Sequence, residues 1–179
     1  MIESGMIDDF DAIHASVPCQ AYTKLARIWI ARMGKAAWLK KHPPLIEPVR
    51  TLLLSTGKPY IIENVVGAPL RNPVMLCGTY FDLKVYRHRL FESNYMLLVP
   101  HHTPHRDNCT EVGHGVSDKG FLSITGKGGF GMGPGGFEYA KAAMGINFDI
   151  TREELSQAIP PAYTEYIGRQ IIRIIRDDV

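Results

Sequence analysis

The 179-residue chain is 45% hydrophobic and 21% charged, an ordinary composition for one soluble globular domain with a sizeable core. Its formal charge of +2 is too small to require a polyanionic partner, yet it leaves nucleic acid open if the basic residues cluster. Three unevenly spaced cysteines (Cys19, Cys77, Cys109) make no disulfide framework, no apolar run approaches the ~18 residues of a membrane span, and residues 1–5 lack signal-peptide character, so a cytoplasmic protein without a membrane partner is expected.

In chain order, Phe10–Ser16 reads as a strand, and being apolar on nearly both faces it reads as a central one. It must end at Val17-Pro18, because proline fixes φ and donates no ladder hydrogen bond. Cys19 therefore stands at the carboxyl end of a strand, where open α/β sheets place their chemistry. Taken alone, such a cysteine is as readily a small buried hydrophobe. From Tyr22 to Lys41 the apolar residues Leu25, Ile28, Trp29, Met33, Ala36 and Ala37 fall at helical spacing, predicting one helix that covers a sheet face. Arg32 lies within that stripe and must snorkel or find a partner. His42-Pro43-Pro44 breaks the helix, and Leu45–Ser55 reads as a second one, stopped by Gly57 and Pro59.

Tyr60-Ile61-Ile62 is a short buried strand running into Glu63-Asn64-Val65. A carboxylate in so apolar a run costs several kcal/mol if charged and unpaired, so Glu63 has either a partner or a proton-handling role. After Met75–Gly78 and Tyr80–Leu83, the alternation in Tyr86–Glu92 puts Arg87 and Arg89 on one face of a strand. Two convergent guanidiniums suit an anion or a base edge, and a solvated basic edge strand would show the same pattern.

Residues 100–136 lose periodicity and are rich in His, Pro and Gly. His101, His102, His105, Cys109 and His114 have ligand chemistry, but their spacing fits no zinc pattern, and no metal is expected. The run Gly126–Gly136 contains two G-x-G-x-x-G matches without the βαβ unit that fingerprint needs: a short helix, Phe137–Met144, leads instead to a turn and another helix. It reads as a loop that lets backbone approach a ligand. Thr151-Arg152-Glu153-Glu154 has capping-box form and opens a short helix to Ala158. Beyond Pro160-Pro161, a final amphipathic helix carries Tyr163, Tyr166, Ile167, Gln170, Ile171, Ile174 and Ile175.

Four of these segments, in this order, resemble the C5-cytosine DNA methyltransferases. Pro18-Cys19-Gln20 is similar to that family's nucleophile motif, Glu63-Asn64-Val65 to its Glu-Asn-Val motif and Arg87-His88-Arg89-Leu90-Phe91 to its Arg-x-Arg segment. Thr151 through Gly168 is similar to its closing helices. The resemblance implies an α/β fold: a partial Rossmann-like methyltransferase sheet with flanking helices and a small irregular target-recognition region. Residues 1–93 would be the catalytic half, 94–145 the target-recognition and Gly-rich region, and 146–179 helices packing back. Val17 and Val85 depart tolerably from the family's usual Pro and Gln. The larger departure is that no Phe-x-Gly-x-Gly-Gly segment precedes Cys19, so the S-adenosylmethionine site is expected to be incomplete.

The chemistry suits these residues. Cytosine C5 becomes nucleophilic only when something adds at C6, and a thiolate does this well, which gives Cys19 its role. Glu63 would handle the proton at N3, Arg89 would hold O2 with Arg87 in support, and Pro18, Gln20 and Asn64 would complete the substrate side. The target base must leave the stack of double-stranded DNA. A zinc deaminase also flips bases, but the H-x-E and P-C-x-x-C motifs it needs are not in the sequence. A catalytically silent nucleic-acid-binding remnant or one part of a split methyltransferase is the alternative. A thiol hydrolase pairing Cys19 with His14 or His88 is disfavoured, since His14 lies within the strand. Without its family neighbour, the 10–16 strand becomes an edge open to self-association or a complementing chain.

Overall fold

The computed structural model describes residues 7–105, 120–122, 124 and 136–177. Among them the chain is mixed α/β, with six α-helices and one mixed four-stranded sheet. The strands are β1 (Ile13–Ser16), β2 (Tyr60–Val65), β3 (Val74–Leu76) and β4 (Arg89–Ser93), in the order β1-β2-β4-β3. Three helices, α1 (Ala26–Met33), α2 (Lys35–Lys41) and α3 (Ile46–Ser55), connect β1 to β2, which run parallel. Such a parallel pair needs a crossover of this kind. The later helices are α4 (Gly136–Ala143), α5 (Arg152–Gln157) and α6 (Pro161–Asp177). No helix among the described residues is long and apolar enough to cross a membrane.

The chain divides into two compact units. The first takes residues up to Met75, then Arg89–Leu98 and the chain from Gln170. Its middle strand is β2, buried from Tyr60 to Asn64 and paired on both sides. Val17, Ile46, Leu53, Tyr60, Ile62 and Ala68 form the core that α3 closes over it. β1 is the edge strand among the described residues, as expected for the 10–16 segment without its family neighbour, although its apolar content alone suggests a central strand. It is only four residues long, none of them fully buried, and Phe10 before it is 59% exposed.

The single helix expected over 22–41 is two. Gly34, at φ 84° and ψ 148°, breaks it in a conformation that only glycine adopts freely. The apolar stripe on α1 is also not covered: Ile28, Trp29 and Met33 are exposed, and the Arg32 guanidinium sits 5.5 Å from the Trp29 ring centre.

The second unit comprises Leu76–His88 and Val99–Arg169. Its core gathers Val85, Leu122, Ile124, Ala140, Ala143, Met144, Ile146 and Leu155. Gly78 donates its N–H to the Tyr86 carbonyl at 2.9 Å, and a Cβ at this position would lie 1.8 Å from the Val85 carbonyl oxygen. Backbone therefore approaches backbone here as only glycine allows. The capping box forms as expected: Glu154 N–H donates to Thr151 Oγ1, and Thr151 N–H donates to the Glu154 carboxylate. α6 opens on Pro161, a residue suited to the first helical turn.

Candidate functional site

Pro18, in an extended conformation, takes the chain out of β1 and into a single 3-10 turn, Cys19–Ala21. The Cys19 carbonyl accepts from Tyr22 N–H at 2.9 Å and Thr23 N–H at 3.1 Å, which fixes the turn that carries the thiol. Cys19 is half-buried and not in a disulfide. Gln20 lies in the same turn, and its Oε1 is buried with no partner among the described residues. A buried acceptor of this kind is one that a ligand donor can satisfy.

β2 lies beside β1 in register, with Ser16 opposite Glu63. Asn64 reaches across: its Nδ2 donates to the Val17 carbonyl at 2.8 Å from a fully buried position. The Glu63-Asn64 pair and the strand end that delivers Pro18-Cys19 are thereby tied into one piece.

On the other side, β4 pairs antiparallel with β2, placing Arg89 opposite Val65 and Phe91 opposite Glu63. Arg89 and Glu63 are thus diagonal neighbours on one sheet face, a spacing that long side chains can bridge. Arg89 Nε stands 3.1 Å from Glu63 Oε1, with the two side chains 15% and 9% exposed. Of the two readings open for Glu63, a partner is therefore present, and the partner is itself a residue singled out for base contact. A carboxylate so held has its orientation fixed and its negative charge compensated.

Arg87 belongs to the other unit, and it is not on a strand. Its φ is +37°, so the alternation expected from Tyr86 onward begins only at Arg89. Its buried guanidinium donates to the carbonyls of Ile124 (2.7 Å), Ser156 (2.7 Å) and Ala158 (2.6 and 3.1 Å). These bonds satisfy carbonyls that would otherwise be costly to bury and make the guanidinium a backbone clamp. The expected common face for Arg87 and Arg89 does not form, because a backbone turned at residue 87 does not alternate.

The histidines of the 100–105 stretch are grouped, but not as their spacing suggests. His102 and His105 come together with Cys77 and His88, while His101 is exposed outside the group. Cys109 and His114 lie outside the described residues, as does the Gly126–Gly136 run up to residue 135. Neither Cys77 nor His88 carries a metal-ligand signal in the sequence.

No family model, curated protein or solved structure matches the chain.

Proposed function

We propose that this chain is the catalytic part of a cytosine-C5 methyltransferase acting on double-stranded DNA, with S-adenosylmethionine as the methyl donor and with β1, β2 and β4 as part of a Rossmann-like methyltransferase sheet. The observation that carries the reading is the Glu63–Arg89 pair, held on one sheet face beside the strand end that delivers Pro18-Cys19. A nucleophile, a proton-handling carboxylate and a guanidinium are the three groups the reaction needs.

In this reading the Cys19 thiolate forms a bond to C6 of a flipped cytosine. The C5=C6 electron pair shifts toward N3, where Glu63 handles the incoming proton and Arg89 neutralises charge at O2. Bound S-adenosylmethionine would supply its electrophilic sulfonium methyl group to C5 and be left as the thioether. Loss of the C5 proton and of the Cys19 sulfur restores the ring. A complementing chain or a second copy at β1 is the further partner this reading carries.

The covalent half of this cycle needs no donor. If C6 is attacked, C5 takes up a solvent proton instead of a methyl group, and reversal releases the original C5 hydrogen. The full chain, incubated without donor on duplex DNA containing [5-³H]cytosine, should therefore release tritium to water. Cys19→Ser should abolish the release while leaving DNA binding unchanged. No release above a protein-free control, or equal release by the serine variant, would overturn the assignment; binding without release would leave a DNA-binding module.

A further inference from the structure

We infer that the second unit holds a structural zinc ion on Cys77, His88, His102 and His105. The four ligand atoms lie within 4.8 Å of one another. His88 Nε2 is 3.0 Å from His102 Nε2, which is 3.1 Å from His105 Nε2, which in turn is 3.1 Å from Cys77 Sγ. A tetrahedral ion with Zn–N of about 2.0–2.1 Å and Zn–S of about 2.3 Å sets its ligand atoms about 3.3 Å (N to N) and about 3.6 Å (N to S) apart. The nearest contacts fall within about half an ångström of those edges.

Hydrogen bonding among the groups serves the cluster poorly. His102 Nε2 carries either one proton or one lone pair, yet two other Nε2 atoms lie at hydrogen-bond distance from it. Three ring nitrogens and a thiol converging on one point suit a cation that accepts from all of them. One thiolate with three imidazoles selects zinc from the abundant divalent ions, and four protein ligands close the sphere, as in structural sites.

The surroundings hold the ligands in place. Thr79 Oγ1 donates to Cys77 Sγ at 3.2 Å and so fixes the position of the sulfur. The Tyr86 ring stacks on His105 at 3.8 Å between centroids, and His102 meets the edge of Tyr80 at 6.0 Å. The backbone carrying His88 is fixed just ahead of it, where Tyr163 Oη lies 3.1 and 3.2 Å from the carbonyls of Tyr86 and Arg87. Cys77 is fully buried and the three histidines half-buried, so the ion would be shielded without being sealed off. Cys77 and His105 are 28 positions apart, and the ion would close the chain between them into a loop. Binding would release the thiol proton to solvent and add directly to the stability of this unit.

The test uses the untagged full chain. Elemental analysis of protein prepared with zinc should find one zinc per chain, and X-ray absorption should show one sulfur and three nitrogens around it. Replacing zinc by cobalt(II) should give the absorption of a tetrahedral site together with a sulfur-to-cobalt charge-transfer band. Cys77→Ser should lose that band, and His102→Gln should lose stoichiometric metal. His101→Gln and Cys19→Ser should keep both, which separates this site from the proposed catalytic one. Should the ligand variants fail to fold, the cobalt spectrum and X-ray absorption of the wild-type chain decide. A folded chain that neither contains nor takes up stoichiometric zinc, or one whose metal survives loss of both Cys77 and His102, would overturn the inference.

Discussion

Glu63 is a buried partner of Arg89 and, in the proposed reaction, the group that handles the proton at N3, and substitution separates the two roles. Glu63→Gln keeps the shape and a hydrogen-bond acceptor but loses the carboxylate's charge and its proton. Tritium release should fall by a factor on the order of 10²–10⁴, the usual scale for a positioned general acid. Unchanged release from a folded variant would make Glu63 purely structural. Arg89→Ala should impair release far more than overall DNA affinity, since phosphate contacts supply most of that affinity. An equal fall in affinity for every sequence, with normal release once bound, would reduce Arg89 to a phosphate contact. Glu63 is legible in the sequence because a charge inside an apolar run has to be explained, and Arg89 through the alternation of Tyr86–Glu92. That alternation fails at Arg87, where the backbone turns. The Arg87 charge is explained by backbone carbonyls from Ile124, Ser156 and Ala158, which no local pattern connects to residue 87.

At the scale of elements, α3 is fastened to β4 by a buried ion pair. Arg50 Nε and Nη2 donate to the two oxygens of Glu92 at 2.6 and 2.7 Å, and both side chains are 2% exposed. Burial alone would raise the Glu92 pKa. The hydrogen bonds from Arg50, Arg71 N–H and Tyr60 Oη outweigh it and hold the carboxyl below its ordinary value. A carboxylate depressed in the folded state stabilises the fold fully above its unfolded pKa, about 4.3, and progressively less as pH falls toward the folded value. Denaturant unfolding should therefore show stability dropping below about pH 4.3. Glu92→Gln should lose about 1–3 kcal/mol at neutral pH by removing the buried carboxylate from Arg50, which keeps Glu47 and the Pro69 carbonyl, and should flatten that acid dependence. An unaltered acid limb in the variant would assign the dependence to other carboxyls.

The sequence made α3 readable because proline and glycine punctuate both of its ends, and the Thr151 cap because its partner lies three residues away. It did not disclose the break at Gly34, since the apolar spacing runs on through it and only a backbone angle ends the helix. Nor did it disclose the Cys77, His88, His102 and His105 group. Those ligands come from separate segments, so their proximity is a property of the tertiary fold rather than of spacing.

At the scale of the whole molecule, what stands out is apolar surface left uncovered in the first unit. β1 is an edge among the described residues, its outward backbone groups a template for another strand. Phe10 just before it is 59% exposed, and on α1 Ile28, Trp29 and Met33 are 51%, 46% and 43% exposed. Neither Phe10 nor β1 carries the lysine or proline that usually blunts such an edge. The expectation is concentration-dependent self-association in which β1 of one copy pairs with β1 of another, readable by sedimentation velocity. Placing charge on the edge with Phe10→Lys and His14→Lys together should give a monomer, because both side chains are exposed and neither supports the core. Ile28→Glu with Trp29→Glu is the contrasting pair: it removes the apolar helix face and leaves the strand edge intact. Association that survives the edge variant but disappears in the helix variant would move the interface to α1. A wild-type chain that sediments as a monomer at every concentration would show that β1 is too short to recruit a partner strand.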